Sequence, residues 1–246
     1  MKLLLLNGSK RGERSSSLKV ARAFVKGIKN TLGDDLTVTE VDLGKKKIDH
    51  CLGCLCCWKK NKGECVIHDD MDEIRSLVME SDIIVQSFPL YYFGLPSLTK
   101  AFVDRMIPFI SEYRASNGDD KTGRFLHDVR YKELNNKKLV LVSTCGYEET
   151  VDCYDCIKLE YDKICGPGCY TLITAPQGGV IAEKTLEAKV ARYLTKFEDA
   201  GAEFIKNGKI SEETDKKLQI PLLGHNTFNI LINRNWDDPD VGPYGR

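Results

Sequence analysis

The chain has 246 residues, of which 36 are basic and 36 acidic, a formal net charge of zero, ten cysteines and 42% hydrophobic residues. That length suits one α/β unit with extensions and allows a sizeable core, and the charge balance removes any electrostatic reason to expect a nucleic acid or an anionic membrane as partner. The apolar opening at residues 1–6 is too short for a secretory segment, and no run approaches the about 18 apolar residues of a bilayer span, so a soluble cytoplasmic protein with reduced or cluster-bound cysteines is expected.

Residues 2–6 form an apolar run expected as a buried strand, and Leu18, Ala21, Val25, Ile28 and Leu32 recur at the three- and four-residue spacing of a helix with one face on a core. Between them lies Asn7-Gly8-Ser9-Lys10-Arg11-Gly12-Glu13-Arg14-Ser15-Ser16-Ser17-Leu18. A turn leading from a strand into a helix presents unpaired amides and the positive end of the helix dipole, and serine hydroxyls and an arginine fork add charge-assisted hydrogen bonds, so the segment is suited to a phosphate. Ser15, Ser16 and Ser17 would also serve as a capping run that needs no ligand. Neither a G-x-x-x-x-G-K-[ST] loop nor the three-glycine dinucleotide pattern is present, which argues against ATP or a directly bound adenine dinucleotide here.

Residues 36–41 alternate apolar and polar after the Gly33-Asp34-Asp35 turn, as a second strand does. A cysteine-rich stretch follows, in which Cys51, Cys54, Cys57 and Cys65 are separated by two, two and seven residues, with Cys56 as an extra; such compact spacing can wrap a 4Fe-4S cluster. Asp69 and Asp70 precede Met71, Ile74, Leu77 and Val78 at helical spacing, and residues 82–86 read as the third strand. The loop Ser87-Phe88-Pro89-Leu90-Tyr91-Tyr92-Phe93-Gly94-Leu95-Pro96 is aromatic and pinned by two prolines, features that a flat conjugated ligand would explain, with a core or subunit-interface role for Tyr92 and Phe93 as the alternative. Pro96 opens a helix through Leu98, Ala101, Phe102 and Met106. Residues 138–143 are a fourth strand, followed by Thr144-Cys145-Gly146-Tyr147, a third loop able to close the same site. A helix over 151–164, a fifth strand over 170–174 and a long helix marked by Leu186, Val190, Tyr193, Phe197, Ala200 and Phe204 complete the pattern. Cys153, Cys156, Cys165 and Cys169 read as reduced thiols rather than a zinc site, because the first pair lies in an expected helix. His50, His68, His127 and His225 are scattered, and none is expected to act as a base.

Strands alternating with helices imply an α/β doubly wound five-stranded parallel sheet, order 2-1-3-4-5, with helices on both faces and a ligand beyond the strand carboxyl ends near Ser9, Pro89 and Thr144. Residues 108–136 break the rhythm as an insertion over the site or at a subunit contact. The residues past 208 have Gly, Pro and Asn punctuation and few periodic apolar positions, so the expected organisation is a domain over 1–208 and a C-terminal extension over 209–246.

Taken together, Gly-Ser-x-Arg with its serine-rich helix start, Cys51-x-Gly-Cys54-x-x-Cys57-Trp58, Cys65-x-x-x-Asp69-Asp70-Met71, Pro89-Leu-Tyr-Tyr-Phe-Gly94 and Lys100-x-x-x-Asp104-Arg105 resemble the flavodoxin-like NAD(P)H-dependent FMN reductases, a group that includes the iron–sulfur flavoproteins. The resemblance covers residues 1–105 well and 138–207 in element order. It implies FMN, with its phosphate on Ser9, Arg11, Ser15, Ser16 and Ser17, its ring against Pro89, Leu90, Tyr91, Tyr92, Phe93 and Gly94, and its pyrimidine edge near Thr144, Cys145 and Gly146. The family often has proline where Lys10 stands and a loop one residue longer, which leaves the choice among the three serines open and brings Arg14 into range. Catalytic side chains are not implied, since the redox chemistry belongs to the flavin. NAD(P)H is the implied co-substrate, a quinone, nitro or azo compound or free flavin the small-molecule acceptor, and a homodimer or homotetramer the assembly. The iron–sulfur members imply an alternative, an electron carrier with a 4Fe-4S cluster on Cys51, Cys54, Cys57 and Cys65 and a ferredoxin-like donor. Other members keep a similar Cys-x-x-Cys-x-x-Cys-Trp run without a cluster, and a thiol or metal-binding module without enzymatic activity is the third reading.

Overall fold

The structure, a computed structural model, describes residues 1–112 and 127–237. Strands β1 (Lys2–Asn7), β2 (Thr37–Asp42), β3 (Ile83–Pro89), β4 (Lys138–Thr144) and β5 (Tyr170–Ala175) pair in parallel in the order β2-β1-β3-β4-β5, as expected. The helices are α1 (Ser16–Leu32), α2 (Cys56–Lys59), α3 (Met71–Glu80), α4 (Ser97–Asp104), α5 (Asp155–Ile164), α6 (Gly178–Ile181), α7 (Glu187–Asn207), α8 (Glu212–Gln219) and α9 (His225–Asp237).

Strand side chains alternate between two buried faces, which is why β1 is an apolar run from Leu3 to Leu6 and β3 opens with Ile83-Ile84-Val85 before buried Gln86 and Ser87. Leu3, Leu5, Ile83, Val85, Val140, Val142 and Ile173 face α1 and α7. Leu4, Leu6 and Ile84 face α3 and α4, and Phe88 and Leu141 face α5. On the first face α1 and α7 touch through their backbones: a Cβ at Gly27 would lie 1.8 Å from the Glu198 carbonyl oxygen, and one at Gly201 would lie 2.0 Å from that of Phe24. Two glycines therefore set how closely α1, whose first turn carries the serines, packs against α7.

Two boundaries differ from expectation. Pro96 occupies the N-cap of α4 rather than its first turn, and α5 starts at Asp155 rather than 151 because Asp152 takes a left-handed turn at φ 58°. The larger difference lies past residue 208. In its described part, the extension expected over 209–246 folds as α8 and α9 and buries Leu218, Leu222, Leu223 and Phe228 in the same core as α1 and α7. Polar contacts fasten it. The Lys196 ammonium donates to the carbonyls of Lys217, Leu218 and Ile220 at 3.1, 3.0 and 2.7 Å, and fully buried Gln177 both donates to and accepts from the Leu223 backbone at 2.8 Å.

Of the insertion expected over 108–136, residues 113–126 lie outside the described residues, and so does any subunit contact they were expected to make. Its base is closed by the Ser111 amide on the Asp128 carbonyl at 2.8 Å and the Arg130 amide on the Phe109 carbonyl at 2.8 Å.

Candidate functional site

The parallel register brings the carboxyl ends of β1, β3 and β4 together. Pro89 pairs with Thr144, the Leu90 amide donates to the Thr144 carbonyl at 2.9 Å, and the Gly8 amide donates to the Ser87 carbonyl at 2.7 Å. The three loops expected to share a ligand therefore do share one edge, at the point where strand order reverses beside β1.

In the first loop the Ser9 amide donates to Asn7 Oδ1 at 3.1 Å and Ser9 Oγ accepts from the Arg11 amide at 3.3 Å. Gly12, at φ 53°, turns the chain, with its amide on the Ser9 carbonyl at 3.2 Å. Ser15 caps α1: its Oγ accepts from the Leu18 amide at 3.3 Å and shares a 2.9 Å hydrogen bond with Ser17 Oγ. The capping role foreseen for the serine run is thus real, but it uses Ser15 and Ser17 and leaves Ser16 over. Ser16 Oγ is buried with no hydrogen-bond partner, and among the described residues nothing accepts from the Ser16 and Ser17 amides. A buried hydroxyl and two amides left unsatisfied at the positive end of a 17-residue helix fit a bound phosphate. Arg11 is half-buried beside this turn.

The second loop ends in a tight turn, closed by the Tyr91 amide on the Gly94 carbonyl at 3.2 Å and the Gly94 amide on the Tyr91 carbonyl at 2.9 Å. Its central residues, Tyr92 and Phe93, have φ of 51° and 58°, values that glycine and asparagine usually supply. Side chains held this way carry strain of the kind that collects at ligand sites. They are also displayed: Tyr92 is wholly exposed, and the ring of Phe93 stacks on Tyr147 at 5.7 Å and 9°.

In the third loop Gly146 is exposed, with open space where a Cβ would stand. Cys145, expected beside it at the ring edge, turns inward instead. Its thiol is buried, its amide donates to the Ala175 carbonyl at 3.2 Å and its carbonyl accepts from the Gly178 amide at 2.7 Å, so it braces the loop and has no backbone group to spare. Burial pushes that thiol up to about 11. Tyr147, through its stack on Phe93, joins the second loop to the third, a pairing whose sole signal in the sequence is an aromatic beside Gly146. Glu148, next along, pairs with His225 of α9 at 2.7 Å, so the tail reaches the rim of the site.

A second feature lies beyond β2. Cys51, Cys54, Cys57 and Cys65 all line one cavity, together with Asp104, Arg105, Ile107 and Pro108. The base of the insertion supplies a wall, with Trp58 Nε1 donating to the Ile107 carbonyl at 3.3 Å. Cys54 is exposed on a loop turned by Gly53 and Leu55 at φ 64° and 54°, while Cys57 is buried. The amide and thiol of Cys56 hold the Cys54 thiol below its ordinary value, and burial raises that of Cys57. The cavity measures about 20 Å³, roughly the room of one water, so a larger group enters only if the exposed loop spreads. Among the described residues no three His, Cys, Asp or Glu side chains stand close enough to share one metal ion. A cubane sets its four thiolates farther apart than a single ion does, and an all-thiol donor set converging on one cavity fits that group. Of the second cysteine set, Cys153 is buried, Cys156 and Cys169 are exposed, and Cys165 is half-buried, its thiol pushed up to about 12 by burial. All ten cysteines are free thiols, and among the described residues no helix is long and apolar enough to cross a membrane.

A family model described as flavodoxin-like fold matches residues 1–155. An iron–sulfur flavoprotein of Archaeoglobus fulgidus is 39% identical over 109 residues, 44% of this chain and 47% of the relative. An FMN-dependent NADH:quinone oxidoreductase of Alteromonas mediterranea is 28% identical over 110 residues, 42% of this chain and 54% of the relative. The chain spans about half the length of the curated relatives it matches. Among solved structures, an FMN-dependent NADH-azoreductase from Bacillus anthracis in complex with FMN superposes with a TM-score of 0.57 at 18% identity, covering 82% of this chain and 98% of that one, a likeness of fold. With a family match over more than half its length, and with the sheet order and loop edge that the family's fold requires, this chain belongs to the flavodoxin-like fold family.

Proposed function

We propose that this chain binds FMN at the carboxyl edge of its sheet and acts as an FMN-dependent oxidoreductase, taking electrons from NAD(P)H and passing them to a quinone, a nitro or azo compound or free flavin. The observation that carries this reading is the unsatisfied Ser16 hydroxyl with its neighbouring amides, on the same edge as the strained aromatic turn. Ser9, Ser15, Ser16 and Ser17 hold the phosphate with Arg11 beside them, and Ser16 and the first-turn amides are the donors still free to do so. Pro89, Leu90, Tyr91 and Gly94 fix the turn, Tyr92, Phe93 and Tyr147 offer it as a flat apolar surface, and Gly146 leaves the ring's polar edge an unobstructed approach. FMN bound there would supply the hydride and one-electron chemistry. The outward-facing rings leave room for a nicotinamide and an acceptor to bind in turn, and they suit cover by a second copy in a homodimer or homotetramer. The free thiols fit a cytoplasmic setting.

The four thiols on one cavity favour a second reading, an iron–sulfur flavoprotein that receives electrons from a ferredoxin-like donor. Cys51, Cys54, Cys57 and Cys65 would hold the 4Fe-4S cluster, which supplies single-electron transfer. The experiment is anaerobic purification, incubation with FMN, and a visible spectrum with iron and sulfide analysis. Retained flavin with NAD(P)H-driven reduction of a quinone supports the first reading; iron and sulfide with broad absorbance alongside the flavin select the second. Protein that retains no flavin at saturating FMN overturns both.

A further inference from the structure

Two motifs of the sequence remain without a role: Cys65-x-x-x-Asp69 and Lys100-x-x-x-Asp104-Arg105. The structure joins them. Arg105, at the C-cap of α4, is the largest fully buried side chain among the described residues, and its guanidinium has five N–H donors. Two go to Asp69, Nη1 to Oδ2 at 2.7 Å and Nη2 to Oδ1 at 3.0 Å. The other two Nη bonds go to the carbonyls of Asp49 at 2.7 Å and Ile67 at 3.0 Å. Asp49 and Ile67 stand two residues outside Cys51 and Cys65, so one side chain holds both ends of the cysteine loop. Asp69 tightens the same closure, accepting from the Asp49 amide at 2.9 Å and the Met71 amide at 3.0 Å.

The fifth donor, Nε, is buried and has no partner. Arg105 and Cys65 line the same cavity with the other three cysteines, and among the described residues no group accepts from Nε. Buried orphan donors are rare in folded proteins and point to a missing partner. Lysine would not serve in its place, since the arrangement uses a planar fork that grips two carbonyls and a carboxylate and still leaves an N–H over.

We propose that Arg105 is a positioning residue for an iron–sulfur cluster: it clasps the ends of the cysteine loop and donates its Nε–H to the Cys65 sulfur of the assembled site. The proposal rests on the iron–sulfur reading. Asp69 neutralises the guanidinium and fixes its plane, and Asp104, which lines the same cavity, is paired with Lys100. Hydrogen bonds to cluster sulfurs raise the reduction potential, and residues outside the ligand set govern how firmly a metal site is held.

The test starts from wild-type protein and the Arg105→Lys and Arg105→Gln variants, each reconstituted anaerobically with ferrous iron and sulfide. Expected are at least about tenfold faster loss of iron to a chelator in both variants, a cluster potential more negative than wild type in an EPR-monitored titration, and a lower apoprotein melting temperature. Variants that melt earlier yet keep wild-type iron retention and potential reduce Arg105 to a support of the fold and overturn the proposal. Should the variants not fold, the loaded wild-type protein still decides: labelled with 15N-arginine, its reduced cluster should show a 15N coupling by pulsed EPR, and its absence is equally fatal. Wild-type protein that takes up no iron and sulfide removes the cluster reading and this inference together, whereas loaded protein without the coupling removes this inference alone.

Discussion

Replacing Ser16 by alanine should have opposite effects on the empty and the loaded protein. In the apoprotein Ser16 Oγ is buried without a partner, an arrangement that costs about 1–3 kcal/mol, so its removal should leave the unfolding free energy unchanged or raise it by up to about that amount. With FMN bound as proposed, the same hydroxyl would donate to a charged phosphate, worth about 1.5–3 kcal/mol, and its loss should weaken FMN binding about 10- to 150-fold. The contrast is with Ser15, whose Oγ accepts from the Leu18 amide; Ser15→Ala should lower apoprotein stability by about 1 kcal/mol through the lost cap. Urea unfolding of the apoproteins and titration calorimetry with FMN measure the two quantities. If Ser16→Ala destabilises the apoprotein, or binds FMN like wild type, the serine turn is a capping device and the assignment of the phosphate fails.

Tyr92→Gly removes a wholly exposed ring from a residue at φ 51°, so the apoprotein melting temperature should hold or rise while NAD(P)H-driven turnover drops; unchanged kinetics would argue against the turn as a ring platform. Gly201→Ala brings a methyl to 2.0 Å from the Phe24 carbonyl oxygen, and urea unfolding should show a loss of about 1–3 kcal/mol even though alanine is the better helix former by about 1 kcal/mol; a neutral result would mean that α1 and α7 do not touch as described. Burial alone would raise the Asp69 carboxyl, but Arg105 and the Asp49 and Met71 amides outweigh it and hold the group below its ordinary value. Its stabilisation is therefore complete above about pH 4 and is lost as pH falls through the depressed value, and Asp69→Asn should flatten that acid limb in a plot of urea midpoint against pH.

The sheet was readable because both its faces are buried, which leaves β1 and the opening of β3 as apolar runs and lets a single strand–helix alternation specify parallel order. The serine turn and the aromatic loop were readable as places, not as geometries. Nothing in two adjacent aromatics announces left-handed backbone at Tyr92 and Phe93, and the residue after a strand gives no sign of whether it points outward like Gly146 or inward like Cys145. Helix α8 escaped notice because EETDKKLQ buries one side chain, Leu218, and takes its support from the Ser211 cap and from Lys196 on another helix. The union of Asp69 with Arg105 spans 36 residues and depends on three elements meeting, so each motif was visible while their partnership was not.

The contact between His225 and Glu148 joins positions 77 apart in the chain, directly beside the loop that carries Gly146 and Tyr147. A substitution at His225, on the exposed face of α9, therefore acts on the shape of the Gly146–Tyr147 loop without altering any residue of that loop.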